Sequence, residues 1–553
     1  MDQNDKMSVP ATEKNKDDNG IMAAATTTPA FASARHMENK DLIEAAAEAT
    51  DRQKAMSFRQ AVREYPKAIM FSALLSTSIV MEGFDLGLIG SFFAFPQFTN
   101  KFGEQQPDGS YQVPSEWQSG LTNGSLCGQI LGLMFAGWMT ERLGYRHTMQ
   151  IALGVMAAFI FTPFFAPRIE VLLVGQILCG MPWGVFQGIA TAYAADLCPV
   201  ALRAYLTTYV NLCFVMGQLL STGVLRATIQ RDDEWAFRIP FALQWMWPIP
   251  IIIGIFFTPE SPWWLIRHDR IDDAQKVLIR LAPSSTDEVV QQANATVAMM
   301  MHTNAMERKE QQGATYFECF RGVNLRRTEI ACVSYAIQMI CGSSLMGYSV
   351  YFFQQAGLET TDALNLTIGQ FGIGFVGTVC SWWLMGLFGR RTLYLLGVSA
   401  GLLVLVGMGV CGIPAQSAAT GWATGSLLLV FACLYNISVG PVCFCIISEM
   451  PSTRLRAKTV VLARAVYNMS GIVCNILTPR MINPTAWHWG PKAGFFYAGI
   501  SLICVVWMFF RLPEAKGRTY GELQVLFREK VPARRFAMTE AKLFDEPLDK
   551  FDV

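Results

Sequence analysis

Charge is scarce in this 553-residue sequence: only 16% of its residues are Asp, Glu, Lys or Arg, against about 25% in an average soluble domain. The formal net charge is +1, so no basic field points to nucleic acid. Histidine is rarer still, with five residues (His36, His147, His268, His302 and His488) that do not cluster. The fourteen cysteines are scattered through apolar stretches. No CxxC pair accompanies the histidines, which argues against a zinc site or a disulfide framework. The cysteines read as small packing residues. No nucleophile–base set and no metal-ligand set stands out, so neither an enzyme nor a cofactor is expected. The first sixty or so residues lack an apolar core, which excludes a signal peptide there and predicts a disordered tail over 1–66.

What is abundant is apolar surface. Hydrophobic residues make up 52% of the chain, and mean hydropathy is +0.30. Apolar segments long enough to cross a bilayer as helices, about 20 residues each, fall near 68–95, 118–138, 147–166, 170–194, 205–229, 238–258, 328–354, 364–387, 392–412, 424–448, 459–482 and 491–511. The fold class predicted is therefore an all-α integral membrane protein of twelve spans. Six would form a half over 67–258 and six a half over 328–511. A polar loop with short helices joins them over 259–327, and a second tail covers 512–553. Basic residues gather in that loop and in alternate short loops, as at Arg142 and Arg146, Arg390 and Arg391, and Arg454, Arg456 and Lys458. By the positive-inside rule this side, which carries both tails, faces the cytoplasm.

The chain repeats itself. Asp196-Leu-Cys-Pro199-Val-Ala-Leu-Arg203 follows the fourth span, and Glu449-Met-Pro451-Ser-Thr-Arg-Leu-Arg456 follows the tenth, 253 positions later. Pro259-Glu260 ends the sixth span and Pro513-Glu514 the twelfth. Gly144-Tyr145-Arg146 and Gly389-Arg390-Arg391 follow the second and eighth. Several coincidences nearly in register imply two parallel six-span halves related by an axis along the membrane normal.

These residues, with Gly83-Phe84-Asp85, Pro259-Glu260-Ser261-Pro262-Trp263-Trp264-Leu265, Gln338 with Gly342, and Pro513-Glu514-Ala515-Lys516-Gly517-Arg518-Thr519, resemble the signatures of the sugar porter family of the major facilitator superfamily over roughly 65–535. Gly180-Met181-Pro182-Trp183-Gly184, Asn211-Leu212-Cys213, Ser381-Trp382-Trp383 and Leu462-Ala463-Arg464 look most like the fungal maltose/α-glucoside–proton symporters. The resemblance implies the major facilitator fold, and charge latches at Arg146, Asp196, Arg203, Glu260, Arg391, Glu449, Arg456 and Glu514 that hold the halves together. There are departures. Gln176 stands where many hexose carriers have Arg, Met339 replaces the second Gln of span seven, Ser344 replaces an Asn, and Phe444 a Trp. Gln129 replaces the Glu usual in the α-glucoside carriers. The changes alter the hydrogen-bonding set of a central cavity and suit a differently shaped substrate.

A sugar site needs amides and hydroxyls for directional bonds and aromatic faces for the ring. Asn211, Gln338, Ser344, Tyr348, Phe444 and Asn468 are the candidates; the alternative for each is bonding between neighbouring helices. Glu82 and Asp85, three residues apart in the first span, share a helix face, and two acids there suit a reversible proton carrier. Asp85 is expected to carry the proton, Glu82 to assist, and Arg464 to supply the partner charge. The expected function is import of a maltose-like α-glucoside with protons by alternating access at the plasma membrane, by a monomer whose partners are sugar, protons and lipid. A passive sugar facilitator, a transporter-like sugar sensor and a secondary-metabolite exporter remain alternatives.

Overall fold

The computed structural model describes residues 39–105, 111–283, 286–310, 315–350, 353, 359–414, 418–482, 487 and 489–540. Backbone N–H and C=O groups in lipid must be satisfied within the segment that carries them, and the apolar stretches accordingly form helices. Ten helices among the described residues are long and apolar enough to cross a membrane. One of them, Glu116–Phe164, has 49 residues, over twice what a bilayer core of about 30 Å requires. It is two spans joined at Gly144, whose φ of 83° and ψ of 174° break the helix. The other missing span is the seventh. It is built from Gly322–Ile340 and Ser343–Gly347, separated by Gly342 at φ 104°. The longer piece carries Arg326, Arg327 and Glu329, too many charges to pass for a span on composition, and the other has only 5 residues; with both restored, the spans among the described residues number twelve. The remaining spans are Pro66–Phe92, Ile169–Leu197, Val200–Thr228, Trp235–Phe256, Thr360–Phe388, Arg390–Cys411, Ala419–Glu449, Arg456–Ile482 and Gly490–Arg511. The tenth carries a π-helical turn at Tyr435–Val439 just ahead of Pro441. Such turns occur often at functional sites.

The sequence repeat is also a repeat of contacts. Glu260 accepts the backbone N–H groups of Tyr145 (2.8 Å) and Arg146 (3.2 Å). Glu514 accepts those of Arg390 and Arg391, both at 3.0 Å. The Arg146 guanidinium donates to the Phe256 carbonyl at 2.7 Å, and that of Arg391 to the Phe509 carbonyl at 2.8 Å. Gly144 and Gly389 share φ values of 83° and 84°, in a region only glycine occupies easily. A Cβ at either would lie within about 2.5 Å of the carboxylate oxygen it faces. The two glycines thus let a half-buried acid seat itself on a helix start, where N–H groups lack intrahelical acceptors.

On the face that carries the loop and tails, the tail expectation needs correcting. Residues 1–38 lie outside the described residues, but Asn39–Ala55 and Phe58–Glu64 are helices. The first packs on the loop helix Asp287–Glu310. It buries Ala46, Ala49 and Thr50, three positions on one helical face. A stripe of small residues escapes a reading based on average polarity. Phe58 then meets Tyr205 at 4.5 Å between ring centroids, tying the second helix to the fifth span.

Gly144→Val and Gly389→Val should each destabilise the protein by about 1–3 kcal/mol, read as a lower melting temperature of the purified protein in detergent. Gly154→Ala, where an added Cβ meets nothing within 4 Å, should leave it unchanged.

Candidate functional site

The first span brings two acids into the bundle, and both are fully buried. Three residues advance a helix by about 300°, leaving side chains some 60° apart, and that is enough to send them to different places. Glu82 reaches the boundary between the halves. It accepts from Gln129 of the second span at 3.0 Å, from Gln187 of the fourth, and from Arg464 of the eleventh at 3.3 Å. Arg464 lies over the ring of Tyr467 at 3.9 Å, with Tyr335 at 5.5 Å. Asp85 stays within the first half. Gln244 of the sixth span donates to one of its oxygens at 2.7 Å, and among the described residues its other oxygen has no hydrogen-bond partner. The expected pairing of Asp85 with Arg464 is therefore corrected: the guanidinium meets Glu82. Gln176, also beside Asp85, brings an amide and no positive charge.

A cavity opens between the halves beside this pair. Glu82, Asn211, Gln338, Ser344, Tyr348, Phe444 and Arg464 line it, together with Gln218, Asn436, Tyr467 and Asn475. Its polar groups are only partly used. Gln338 donates to the Gly440 carbonyl at 3.1 Å, and its amide oxygen has no partner among the described residues. Asn211 donates to the Thr378 hydroxyl at 3.0 Å. Among the described residues the hydroxyls of Ser344 and Tyr348 have no partner within hydrogen-bond geometry. The π-helical turn of the tenth span sets Tyr435 and Asn436 on the wall. Asn468 is placed otherwise than expected: one turn beyond Arg464 it is fully buried and does not reach the cavity lining.

On the tail face the halves are joined. Asp196 pairs with Arg456, both almost wholly enclosed, and Ser261 donates to the second Asp196 oxygen at 2.9 Å. The Tyr520 ring carries Arg203 at 3.7 Å and Arg456 at 3.9 Å from its centre, and its hydroxyl donates to the Ala195 carbonyl. Lys458 pairs with Glu141 at 2.7 Å, and Arg267 donates to the Thr453 carbonyl at 2.8 Å. Glu449, however, takes Arg390 of its own half at 3.0 Å. Arg391 is the wrong member of that pair, since its guanidinium is bound to the Phe509 carbonyl. Arg146, Arg391, Glu260 and Glu514 fix helix ends within each half; Asp196 and Arg456 join the halves directly. The difference follows from one position. Tyr145 of the first half stands where the second half has Arg390, so Asp196 takes its cation from the opposite half. Burial pushes the Glu260 carboxyl above its ordinary range, against the pull of the Ser261, Tyr145 and Arg146 N–H groups.

Gln187, Gln244, Tyr467, Arg390 and Tyr520 were not among the expected site residues. The two glutamines carried a usable signal, because a polar side chain inside a span seeks a cavity or a partner. They lie 105 and 159 residues from the acids they bind, so no local spacing connects them.

The profile of the family described as "Sugar (and other) transporter" matches residues 70–527. The general alpha-glucoside permease of Saccharomyces cerevisiae (strain ATCC 204508 / S288c) is 41% identical over 508 residues, covering 91% of this chain and 82% of that protein. Maltose permease MAL31 of the same strain is 40% identical, covering 91% and 83%. Among solved structures, the proton:xylose symporter XylE bound to 6-bromo-6-deoxy-D-glucose superposes with a TM-score of 0.73 at 21% identity, covering 84% of this chain and 99% of that one. The inward-open XylE from E. coli gives 0.62 at 17% identity, covering 83% and 99%. Both share the fold.

Removing one partner of a buried ion pair strands the other charge, at about 3–5 kcal/mol. Arg464→Gln and Glu82→Gln should each lower the melting temperature, and the double variant should recover most of the loss. Additive losses in that cycle would show that the two side chains do not interact.

Proposed function

We propose that this chain, which belongs to the sugar (and other) transporter family, carries a maltose-like α-glucoside across the plasma membrane together with protons, by alternating access. One observation supports the reading above others. A cavity with unpartnered amide and hydroxyl groups lies between the two halves, against an ion pair made by one residue from each half. Sugar hydroxyls would bond the free oxygen of Gln338 and the hydroxyls of Ser344 and Tyr348, with Asn211 and the rings of Phe444 and Tyr467 shaping the site. The similarity to the two yeast permeases favours an α-glucoside as cargo.

The conformation described here is joined on the tail face, and opening there requires Asp196 to part from Arg456. A proton taken by Glu82 would remove the charge that holds Arg464, loosening the first half from the second. Sugar bound beside the same pair biases the same equilibrium, so each ligand changes the affinity of the other. Asp85 lies outside this cross-half contact and would set the position of the first span through Gln244. The basic loops favour a cytoplasmic location for the tail face. Residues 67–258 and 328–511 would be the moving halves and 259–327 their connection. Cavity and closing contacts lie within one chain, which suits a functional monomer.

Proteoliposomes preloaded with buffer alone should accumulate labelled maltose when an inward proton gradient is imposed, and less so labelled glucose. Glu82→Gln should abolish accumulation while sparing some exchange down a gradient. Gln338→Ala should raise the half-saturation constant by about 5- to 150-fold, the equivalent of leaving a buried sugar hydroxyl unsatisfied at about 1–3 kcal/mol. Accumulation in Glu82→Gln equal to that of the wild type would remove this residue from the coupling mechanism. Uptake indifferent to the gradient would replace symport with passive facilitation.

A further inference from the structure

Two amides on the cavity wall, Asn211 and Gln338, are each held by their NH2 group, and the residue that holds the first stands behind the wall. Asn211 of the fifth span lines the cavity and donates to the hydroxyl of Thr378 of the eighth span at 3.0 Å. Thr378 is fully buried and is not part of the lining. The bond crosses the boundary between the halves. The two spans approach closely here because of Gly374, one turn before Thr378. A Cβ at Gly374 would lie 3.4 Å from the Val215 side chain of the fifth span and 2.9 Å from the Asn436 amide nitrogen.

The chemistry of this contact fixes which way the Asn211 amide faces. A threonine hydroxyl has one proton to give. That of Thr378 goes to the Gly374 carbonyl at 3.0 Å, so towards Asn211 the hydroxyl can only accept. The amide must present its NH2 group there, an orientation assigned by the hydrogen-bond network. Its oxygen lies on the other side, against Gly440 of the tenth span. A Cβ at Gly440 would stand 2.8 Å from that oxygen and push it aside. The Gly440 carbonyl in turn accepts from the Gln338 NH2 group at 3.1 Å. Both amides thus spend an N–H on the second half and keep an oxygen for the cavity.

We infer that Thr378 is a positioning residue for sugar binding: by holding the NH2 group of Asn211 it aims the amide oxygen at a sugar hydroxyl. The assignment rests on the cavity being the sugar site. Without the Thr378 acceptor the amide could turn over, and a donor would replace an acceptor at the wall. A sugar hydroxyl whose proton was directed there would then lose its acceptor. Because Thr378 belongs to the opposite half, Asn211 is set only while the fifth and eighth spans adjoin at this level. Sugar therefore binds conformations that keep this contact in preference to others and raises their population.

The test uses the full-length protein with maltose. Thr378→Val keeps the side-chain size and removes the acceptor, Thr378→Ala is a second variant without it, and Thr378→Ser retains the hydroxyl. In proteoliposome counterflow, which needs no proton gradient, the valine and alanine variants should raise the half-saturation constant about fivefold, the effect of one misplaced neutral hydrogen bond. Their maximal rates should change by less than about twofold, and Thr378→Ser should restore the wild-type constant. Calorimetric titration of the detergent-solubilised protein should show the same order of affinities. Asn211→Ala should weaken binding by itself, and adding Thr378→Val should cause no further loss, because a holder with nothing to hold has no effect. Wild-type protein that does not bind maltose overturns the sugar-site reading and this inference with it. Wild-type binding with unchanged constants in the valine and alanine variants overturns this inference alone. So do losses that add in the double variant, a loss that Thr378→Ser does not repair, or a fall in maximal rate at a constant half-saturation value. Each of these would make Thr378 a packing contact between spans.

Discussion

A charge inside a lipid-embedded bundle has to find its counter-charge within the bundle, because removing both from water is expensive and stranding one is more so. Here that constraint is met across the boundary between the halves. Glu82 takes Arg464 near the middle of the bundle, and Asp196 takes Arg456 at the tail face. The first contact lines the cavity and the second closes one end of the path from it. A relative movement of the halves must break or replace these pairs, so the same charges that hold one conformation define what another must compensate.

Within each half, an acid is used differently. Glu260 and Glu514 accept backbone N–H groups at a helix start beside a glycine in a left-handed conformation. These contacts do not cross the boundary. They lock a half into a rigid unit, which is what lets a few cross-half contacts decide its orientation. The two kinds of acid look alike in the sequence: each lies near an arginine on the same face and each is duplicated. Only geometry separates the clamp within a half from the latch between halves.

Much of the architecture was legible because it rests on local physics. Span lengths follow from the thickness of a bilayer, and the duplication of Pro259-Glu260 as Pro513-Glu514 and of Gly144 as Gly389 is visible in the residue order. The presence of Glu82 in an apolar segment was enough to single it out. Its partner was harder to see, because a difference of about 60° around one helix decides whether Arg464 meets position 82 or position 85. Arg390 and Arg391 posed the same problem, where adjacent residues turn opposite ways. Gln187 and Gln244 became visible only through contacts between distant spans. The helices at 39–64 were hidden for a different reason: the face they bury is made of alanine and threonine, too small to register against a polar background.

The break in the seventh span has a mechanical consequence. An unbroken helix resists bending because its hydrogen-bond ladder must be disrupted to do so. At Gly342 the ladder is already interrupted: the Cys341 N–H closes the first piece on Ile337, the Ser343 hydroxyl takes the Gln338 carbonyl at 2.8 Å, and the Leu345 N–H begins a fresh turn on Gly342. Each piece is complete in itself. The short outer piece, with Ser344 and Tyr348 at the cavity, can therefore swivel about Gly342 as a lever on a bearing, opposed by side-chain packing and not by the backbone.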